Sequence, residues 1–581
     1  MKTKKTLFTL IMMLLTLTAA AQQMTVTVDS VGQLGRQLPD SIRYTMSDLK
    51  ICGPLNGSDI KIIQLITSRL KAKKPNEHVL TSLDLSEATI VEGKGSFRTR
   101  ADMLPAAMFL NCKALERVVL PNATPEVSRS CFSGCVSLKE VIIPDETTII
   151  NDYAFNGCLS LSDVKLPYAL TSIGKHAFDG CRTLTTMDIP ETVTAIGANA
   201  FSNCMLLEKL TLNASISRIE PATFLNCQRL KSLTIPETIR TIGNDAFKNC
   251  SNLESIEMPE AITEIGNGAF ENCANLRAIE MSTAMRIGSD AFKGCATLGS
   301  VEIESASRIG NSAFQNCSGL TSVSIDGNLQ AIGSETFSGC TNLQNILLPA
   351  TVKTIGVKAF YECKSLPSID LPEALTRIHD HAFEECASLK YIYIPNLVKQ
   401  LGSDVFENCT SLDSVNIQGF INKLENNVFR YCHSLRIVIL PVSVKSIGDN
   451  AFQQCASLTT INLPISVTAI GDNAFEKCAS LVNVTVPAAC TTIGSASFRE
   501  CSALNRLELP AALKKIGGNA FAKCVSLREI IMGAPLPPAI SSTSFKGVVS
   551  NACKIYVPKG ARNNYRNDKS WRKMPQILEQ Q

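Results

Sequence analysis

Hydrophobic positions in this chain recur on a beat of 22 to 23 residues, and that beat outlines the architecture before any single residue is weighed. Between residues 105 and 535 the unit Phe-x-x-Cys-x-x-Leu occurs nineteen times, from Phe109-Cys112-Leu115 to Phe521-Cys524-Leu527. Successive phenylalanines lie 23 residues apart except for two steps of 22, which lead to Phe292 and Phe314. From each leucine the pattern changes to alternation, as in Leu253-x-x-Ile256-x-Met258. A period of two predicts a short strand whose side chains point inward and outward in turn. Thirteen of the nineteen strands are followed at once by proline, Pro144, Pro236 and Pro464 among them. Proline has no N–H for the next ladder bond, so the chain is expected to turn there. A second apolar pair, Val193 and Ile196 in one unit, predicts a brief strand or extended turn on the opposite wall. The glycine after it belongs to an Ile-Gly pair that recurs twelve times and suits a positive backbone angle. The Ala-Phe-x-x-Cys stretch is too short for a full helix and reads as a helical turn.

Units of this kind cannot bury an apolar face alone, but stacked in register they bury Phe, Cys, Leu and Ile in one continuous core. The expected fold is a leucine-rich-repeat solenoid, rich in β structure, with short strands plus helical turns in 22–23-residue coils and a cap at each end. Residues 22–104 are expected to form the N-terminal cap and a degenerate first coil. That coil carries Leu80 to Leu85, and 35 residues separate Leu85 from its equivalent Leu120. Apolar spacing across Ile60, Ile63, Leu65, Ile66 and Leu70 predicts a helix over Asp59 to Leu70 within this cap. Residues 105–535 form the repeat array, and 536–581 the C-terminal cap, which holds Tyr565 and the only tryptophan, Trp571. At the other end, Lys2, Lys4 and Lys5 precede an apolar run from Leu7 to Leu17 and the small residues Ala19, Ala20 and Ala21. Residues 1–21 therefore read as a secretory signal peptide, and the run is too short for a spanning helix. The protein is expected to be exported, to the cell surface or medium with the periplasm open, and not to span a membrane once the leader is removed.

The formal charge is +4, and three of the cations belong to the leader. Near-neutrality argues against nucleic acid as a partner. Twenty-three cysteines in an exported chain raise disulfides or metal first. Nineteen, however, occupy one point of the repeat, where stacking would hold their Cβ atoms about 4.8 Å apart, outside the usual disulfide range. Parallel vectors cannot converge on a zinc ion. A ladder of free thiols acting as small hydrophobes is expected, with Cys131 and Cys490 in core positions and Cys52 and Cys553 in the caps. So many thiols suit an export route that meets little oxidant. No metal or other cofactor is expected. His379-Asp380-His381 looks like a metal or base cluster, yet His379 stands where other coils have the turn glycine. Gly93-Lys94-Gly95 lacks the rest of a phosphate loop, and no triad or carboxylate pair assembles, so an enzyme is not expected.

Function is then expected on the outward strand positions. Two groups stand out there. Glu257, Glu280 and Glu302 occupy one position in successive coils, which would suit a cationic partner or calcium; the plain alternative is a solvated acidic stripe. Tyr391 and Tyr393 share a strand, and two coils on Ile437 and Ile439 share another, so four large apolar side chains face outward where polar ones belong.

The Phe-x-x-Cys-x-x-Leu units with strand-ending proline and Ile-Gly resemble the BspA-type leucine-rich repeat family of bacterial surface proteins. The ends are similar too, in Asp48 to Gly57 with Leu83-Asp84-Leu85-Ser86, and in Val557-Pro558 through Tyr565 and Trp571. The resemblance implies adhesion to host matrix, mucosal surfaces or other bacteria, and it brings no catalytic residues. The expected function is adhesin-like binding of a protein ligand, with glycan capture as the alternative through the same tyrosines.

Overall fold

The computed structural model describes residues 23–74, 77–93, 97–281, 283–548, 552–574 and 576–581. The expected leader, and Lys94-Gly95, lie outside them. The chain divides into two compact units, Met1–Ala261 and Ile262–Gln581.

In the first unit a parallel sheet runs in the order Gln23–Thr27, Asp48–Leu55, Ser82–Asp84, Arg117–Val119, Glu140–Ile142. The degenerate first coil is in register with the array, Leu83 opposite Val118. Later coils continue the face with Thr186–Ile189 beside Lys209–Leu212, and Ser232–Thr234 beside Ser255–Glu257. An opposite wall of two-residue strands runs Glu126–Val127, Ile149–Ile150, Ser172–Ile173, Ala195–Ile196. Partners on both walls sit one repeat apart, so identical positions stack on identical positions. The helix expected over Asp59–Leu70 spans Gly57–Thr67 and is capped by Asn56 in a capping box with Asp59. The buried Asp59 carboxylate also accepts the N–H groups of Gly32 and Leu34, tying the preceding loop to the helix start.

The second unit repeats the plan, with ladders at Ser300–Ala306, Ser322–Gly327, Asn345–Leu347 and at Tyr391–Ile394, Ser414–Ile417, Ile437–Ile439. Proline's role is visible by contrast. Ser300–Ala306 and Ser322–Gly327 have Glu304 and Asp326 where other coils have proline, and they run to seven and six residues. Its end is closed by Trp571, tilted against Phe545 at 6.0 Å and set edge-on to Tyr565 at 5.1 Å. The indole N–H donates to Pro538 O and the Tyr565 hydroxyl to Ala534 O, so both buried polar tips are satisfied.

Inside each unit the repeat residues form ladders. Phe109 to Phe247 in the first stack ring on ring at 5.0–5.7 Å, and Phe270 to Phe545 in the second at 5.0–5.6 Å. Spacing wider than the strand repeat offsets the rings, the arrangement their quadrupoles favour. The cysteines are free, and every one in the array is buried. They are also more than small hydrophobes. Repeat thiols donate to the phenylalanine carbonyl one coil back, as Cys181 does to Phe155 O at 3.3 Å and Cys386 to Phe360 O at 3.2 Å, whereas Cys112 bonds the Thr67 hydroxyl. Burial pushes Cys158, Cys250 and Cys386 up to about 12, so these thiols stay protonated and unreactive at neutral pH.

Three expectations need correction. The glycine after Ile does not take a positive φ; a Cβ on Gly197 would lie 2.5 Å from the backbone N of Lys175 in the preceding coil. Close approach between coils, not handedness, demands glycine there. Positive φ falls instead on the residues flanking Ala-Phe, as at Asn199 and Asn203, both near 58°. Asparagine tolerates that region better than most side chains. Second, these left-handed residues replace the expected helical turn by a pair of tight turns. Cys204 N bonds to Phe201 O within the coil, while Phe201 N reaches Thr223 O in the next, adding a third line of inter-coil bonds. Third, four of the nineteen coils, at Lys165, Glu280, Asp370 and Asn462, form no strand at the expected outward position and keep only the short strand of the opposite wall. Pro367 accounts for one of them, since other coils use the N–H at that position to reach the coil before. Both inward residues stay buried in three of the four, as at Val164 and Leu166, and in the last Leu463 is buried while Ile461 is half-buried.

Candidate binding surface

The sheet face of Tyr391–Ile394, Ser414–Ile417 and Ile437–Ile439 is parallel and in register, Tyr391 opposite Ser414 opposite Ile437, and Tyr393 opposite Asn416 opposite Ile439. Inward Ile392, Val415 and Val438 anchor it in the core. Outward, Tyr391, Ile437 and Ile439 are each about half exposed, and Tyr393 is half-buried. The four expected apolar side chains therefore share one face but do not touch as a block. A polar coil, Ser414 and Asn416, lies between them as a floor about 4.8 Å from each side. Asn416 accepts from the Gln418 side chain at 2.7 Å. Arg436 pairs with Asp413 along the border and holds that carboxyl below its ordinary range. The result is a shallow trough with aromatic and aliphatic walls and a hydrogen-bonding base.

The three glutamates are divided between the two units. Glu257 is exposed in the first unit, accepting the Thr234 hydroxyl at 2.9 Å. In the second unit Glu302 stands exposed opposite Ser324, and Glu280 lies exposed outside any named strand. Among the described residues no group of three or more His, Cys, Asp and Glu could hold a metal ion. His381 takes a turn position with φ 59° and bonds Glu384 at 2.7 Å, while Asp380 accepts Ser403 N. Each part of that cluster thus has a place in the repeat.

Attention to strand positions misses another surface in the second unit. The turn that follows each strand exposes Leu397, Phe420, Val442 and Ile465 on four consecutive coils, at 50, 64, 81 and 83%. Their order is fixed by hydroxyl bridges from coil to coil: Ser443 Oγ donates to Ile421 O at 2.7 Å and Ser466 Oγ to Val444 O at 2.6 Å. The signal was available in the sequence. In the first unit two of the same turns read Pro190-Glu191-Thr192 and Pro236-Glu237-Thr238, with a lone apolar tip at Tyr168, whereas four consecutive later ones read Asn396-Leu397, Gly419-Phe420, Val442-Ser443 and Ile465-Ser466.

In the second unit a polar ladder occupies the position after the phenylalanine in the coils of Phe406 to Phe498. Arg430 bonds Glu407 and Gln453, Gln453 bonds Glu476, and Arg499 closes on Glu476. Burial first, then neighbouring Asp404, pushes the Glu407 carboxyl up to about 8 against the pull of Arg430. No helix among the described residues is long and apolar enough to cross a membrane.

A family model described as BspA type leucine rich repeat region, six copies long, matches residues 102–231, 194–321, 307–436 and 422–551. Similar solved structures include a leucine-rich repeat protein from Bacteroides ovatus, 25% identical over 72% of this chain and 86% of that one, with TM-score 0.28. Others are a leucine-rich repeat protein of T. pallidum (32% identity, 28% and 72% covered, TM-score 0.25) and a leucine rich cell surface protein from Faecalibacterium prausnitzii (23%, 60% and 87%, 0.32). None of the curated proteins matches.

Proposed function

The chain belongs to the BspA-type leucine-rich repeat family, and from that premise we propose that it is an exported, surface-displayed binding protein of adhesin-like kind. Its ligand is a protein on a host or bacterial surface. The observation that carries this reading is the trough in the second unit, where Tyr391, Tyr393, Ile437 and Ile439 stand outward on a register-locked sheet. Exposed aromatic and aliphatic anchors rimmed by polar groups are the composition of a recognition patch, and nothing in the core requires them there.

A second reading has its own support. The polar floor of Ser414 and Asn416 between apolar walls suits a sugar ring stacked on tyrosine and hydrogen-bonded beneath, as a glycan-capturing module would hold it.

The test is binding of the leaderless chain to a panel of matrix proteins and glycans, beside the double substitution Tyr391→Ser, Tyr393→Ser. The protein reading expects a matrix-protein hit that survives enzymatic removal of the partner's sugars and is lost in the double variant. A hit abolished by deglycosylation favours the glycan module. Binding unaffected by the double variant removes the trough from the account and moves the search to Glu257, Glu280 and Glu302. No hit on the whole panel favours a spacer.

A further inference from the structure

The turn edge of the second unit carries chemistry that the trough does not use. From residue 395 to 514 six consecutive turns, Pro395–Lys399, Gln418–Asn422, Pro441–Lys445, Pro464–Thr468, Pro487–Thr491 and Pro510–Lys514, contain no acidic residue. Four present Leu397, Phe420, Val442 and Ile465 as their tips. Just beyond the tips, on the wall the turn leads into, stand exposed Lys399, Lys423 and Lys445. Lys423 is paired with Glu425, while Lys399 and Lys445 have no carboxylate partner among the described residues. The tips cannot fold away: Gly419 packs so closely that a Cβ there would lie 2.5 Å from Val398 O, and the serine bridges hold the next turns in line.

We propose that this edge docks on an anionic phospholipid surface, with Leu397, Phe420, Val442 and Ile465 entering the headgroup layer and Lys399 and Lys445 meeting lipid phosphates. Protruding aliphatic and phenyl tips flanked by lysine are what an interfacial anchor requires. Protein hot spots favour Trp, Tyr and Arg held in pockets, and they under-use leucine and valine. The edge offers ridges, not pockets. It uses different residues from the trough, so the two can act together or fail separately.

The experiment is co-sedimentation of the leaderless chain with vesicles of phosphatidylcholine alone, or of phosphatidylcholine with about 30% phosphatidylglycerol. Binding is expected to the anionic vesicles, to weaken with salt, and to fall at least about tenfold in Val442→Glu, Ile465→Glu. Lys399→Gln, Lys445→Gln is expected to erase the preference for anionic lipid. Tyr391→Ser, Tyr393→Ser is expected to leave vesicle binding untouched, which separates this proposal from the adhesin reading. Should the glutamate variant melt early, Val442→Ser, Ile465→Ser is read in its place. Wild-type chain that ignores both vesicles, or tip variants that bind as well as wild type, overturns the proposal. Loss of a matrix-protein hit in the tip variants without any vesicle binding makes the edge a protein-docking surface instead.

Discussion

The turns at Pro190 and Pro236 in the first unit and those at Pro441 and Pro464 in the second are built alike and finished differently. In both, a hydroxyl binds the previous coil: Thr192 to Leu170 O at 2.7 Å and Thr238 to Ile216 O at 2.6 Å, against Ser466 to Val444 O at 2.6 Å. The bridging hydroxyl is kept, on threonine or serine, while the tip changes from Glu191 and Glu237 to Val442 and Ile465. The scaffold is therefore indifferent to what stands at the tip, and an apolar residue kept in water there is not a demand of folding. Inward positions show the opposite rule, since phenylalanine, cysteine and glycine recur because the neighbouring coil leaves room for little else.

The sharpest way to break that contrast is to hollow the ladder. Phe406→Ala, whose ring is fully buried between Phe383 and Phe429, is expected to cost about 3–5 kcal/mol by chemical denaturation. A smaller but cleaner effect comes from two adjacent glycines. A Cβ on Gly517 would lie 2.4 Å from Ser495 N, whereas one on Gly518 meets nothing nearer than 3.4 Å. Gly517→Ala should destabilise by about 1–3 kcal/mol and Gly518→Ala hardly at all, read from paired denaturation curves. Equal effects would remove close approach as the reason for the glycine.

Next comes a pH effect. The Glu407 carboxyl is raised in the fold to about 8 from an ordinary 4.5, so the native chain holds a proton that the unfolded chain has released across that window. Stability from this group is therefore full below the lower value and is lost as pH rises toward 8. Glu407→Gln should flatten that part of the stability profile; a profile unchanged by the substitution contradicts the assignment. The thiols give a further contrast. Cys52 is the one cysteine that is not buried, so it should react first with a thiol reagent in native protein, and all 23 should react after oxygen-free denaturation. Disulfides in the denatured count would refute the free ladder. Smallest of all, Ile465→Ser should shift stability by no more than about 0.5 kcal/mol.

Much of this was legible in the sequence because a repeat reports each position nineteen times. The strand pattern, the proline stops and the thiol ladder follow from periodicity alone, and Glu304 and Asp326 even mark where strands run on. What periodicity could not resolve was the reason behind a recurrent residue. Ile-Gly looked like a turn, because φ is a local property and close approach of Gly197 to Lys175 is not. The left-handed positions did carry a local mark at the residue before cysteine, glycine in three successive coils at Gly134, Gly157 and Gly180 and asparagine in the next three at Asn203, Asn226 and Asn249. The outward placement of Tyr391, Tyr393, Ile437 and Ile439 was legible from the alternation, but the polar floor depends on the intervening coil, which the apolar pattern skips. The tips were overlooked because they lie one turn past the strand.

The most direct test of the separation between building and acting positions is one chain carrying Tyr391→Ser, Tyr393→Ser, Val442→Glu and Ile465→Glu, measured for melting and for binding to matrix proteins and anionic vesicles. The account predicts a melt like that of the wild type with both binding activities gone. A melt lowered as far as that of Phe406→Ala would contradict it, since the outward residues would then be holding the fold together.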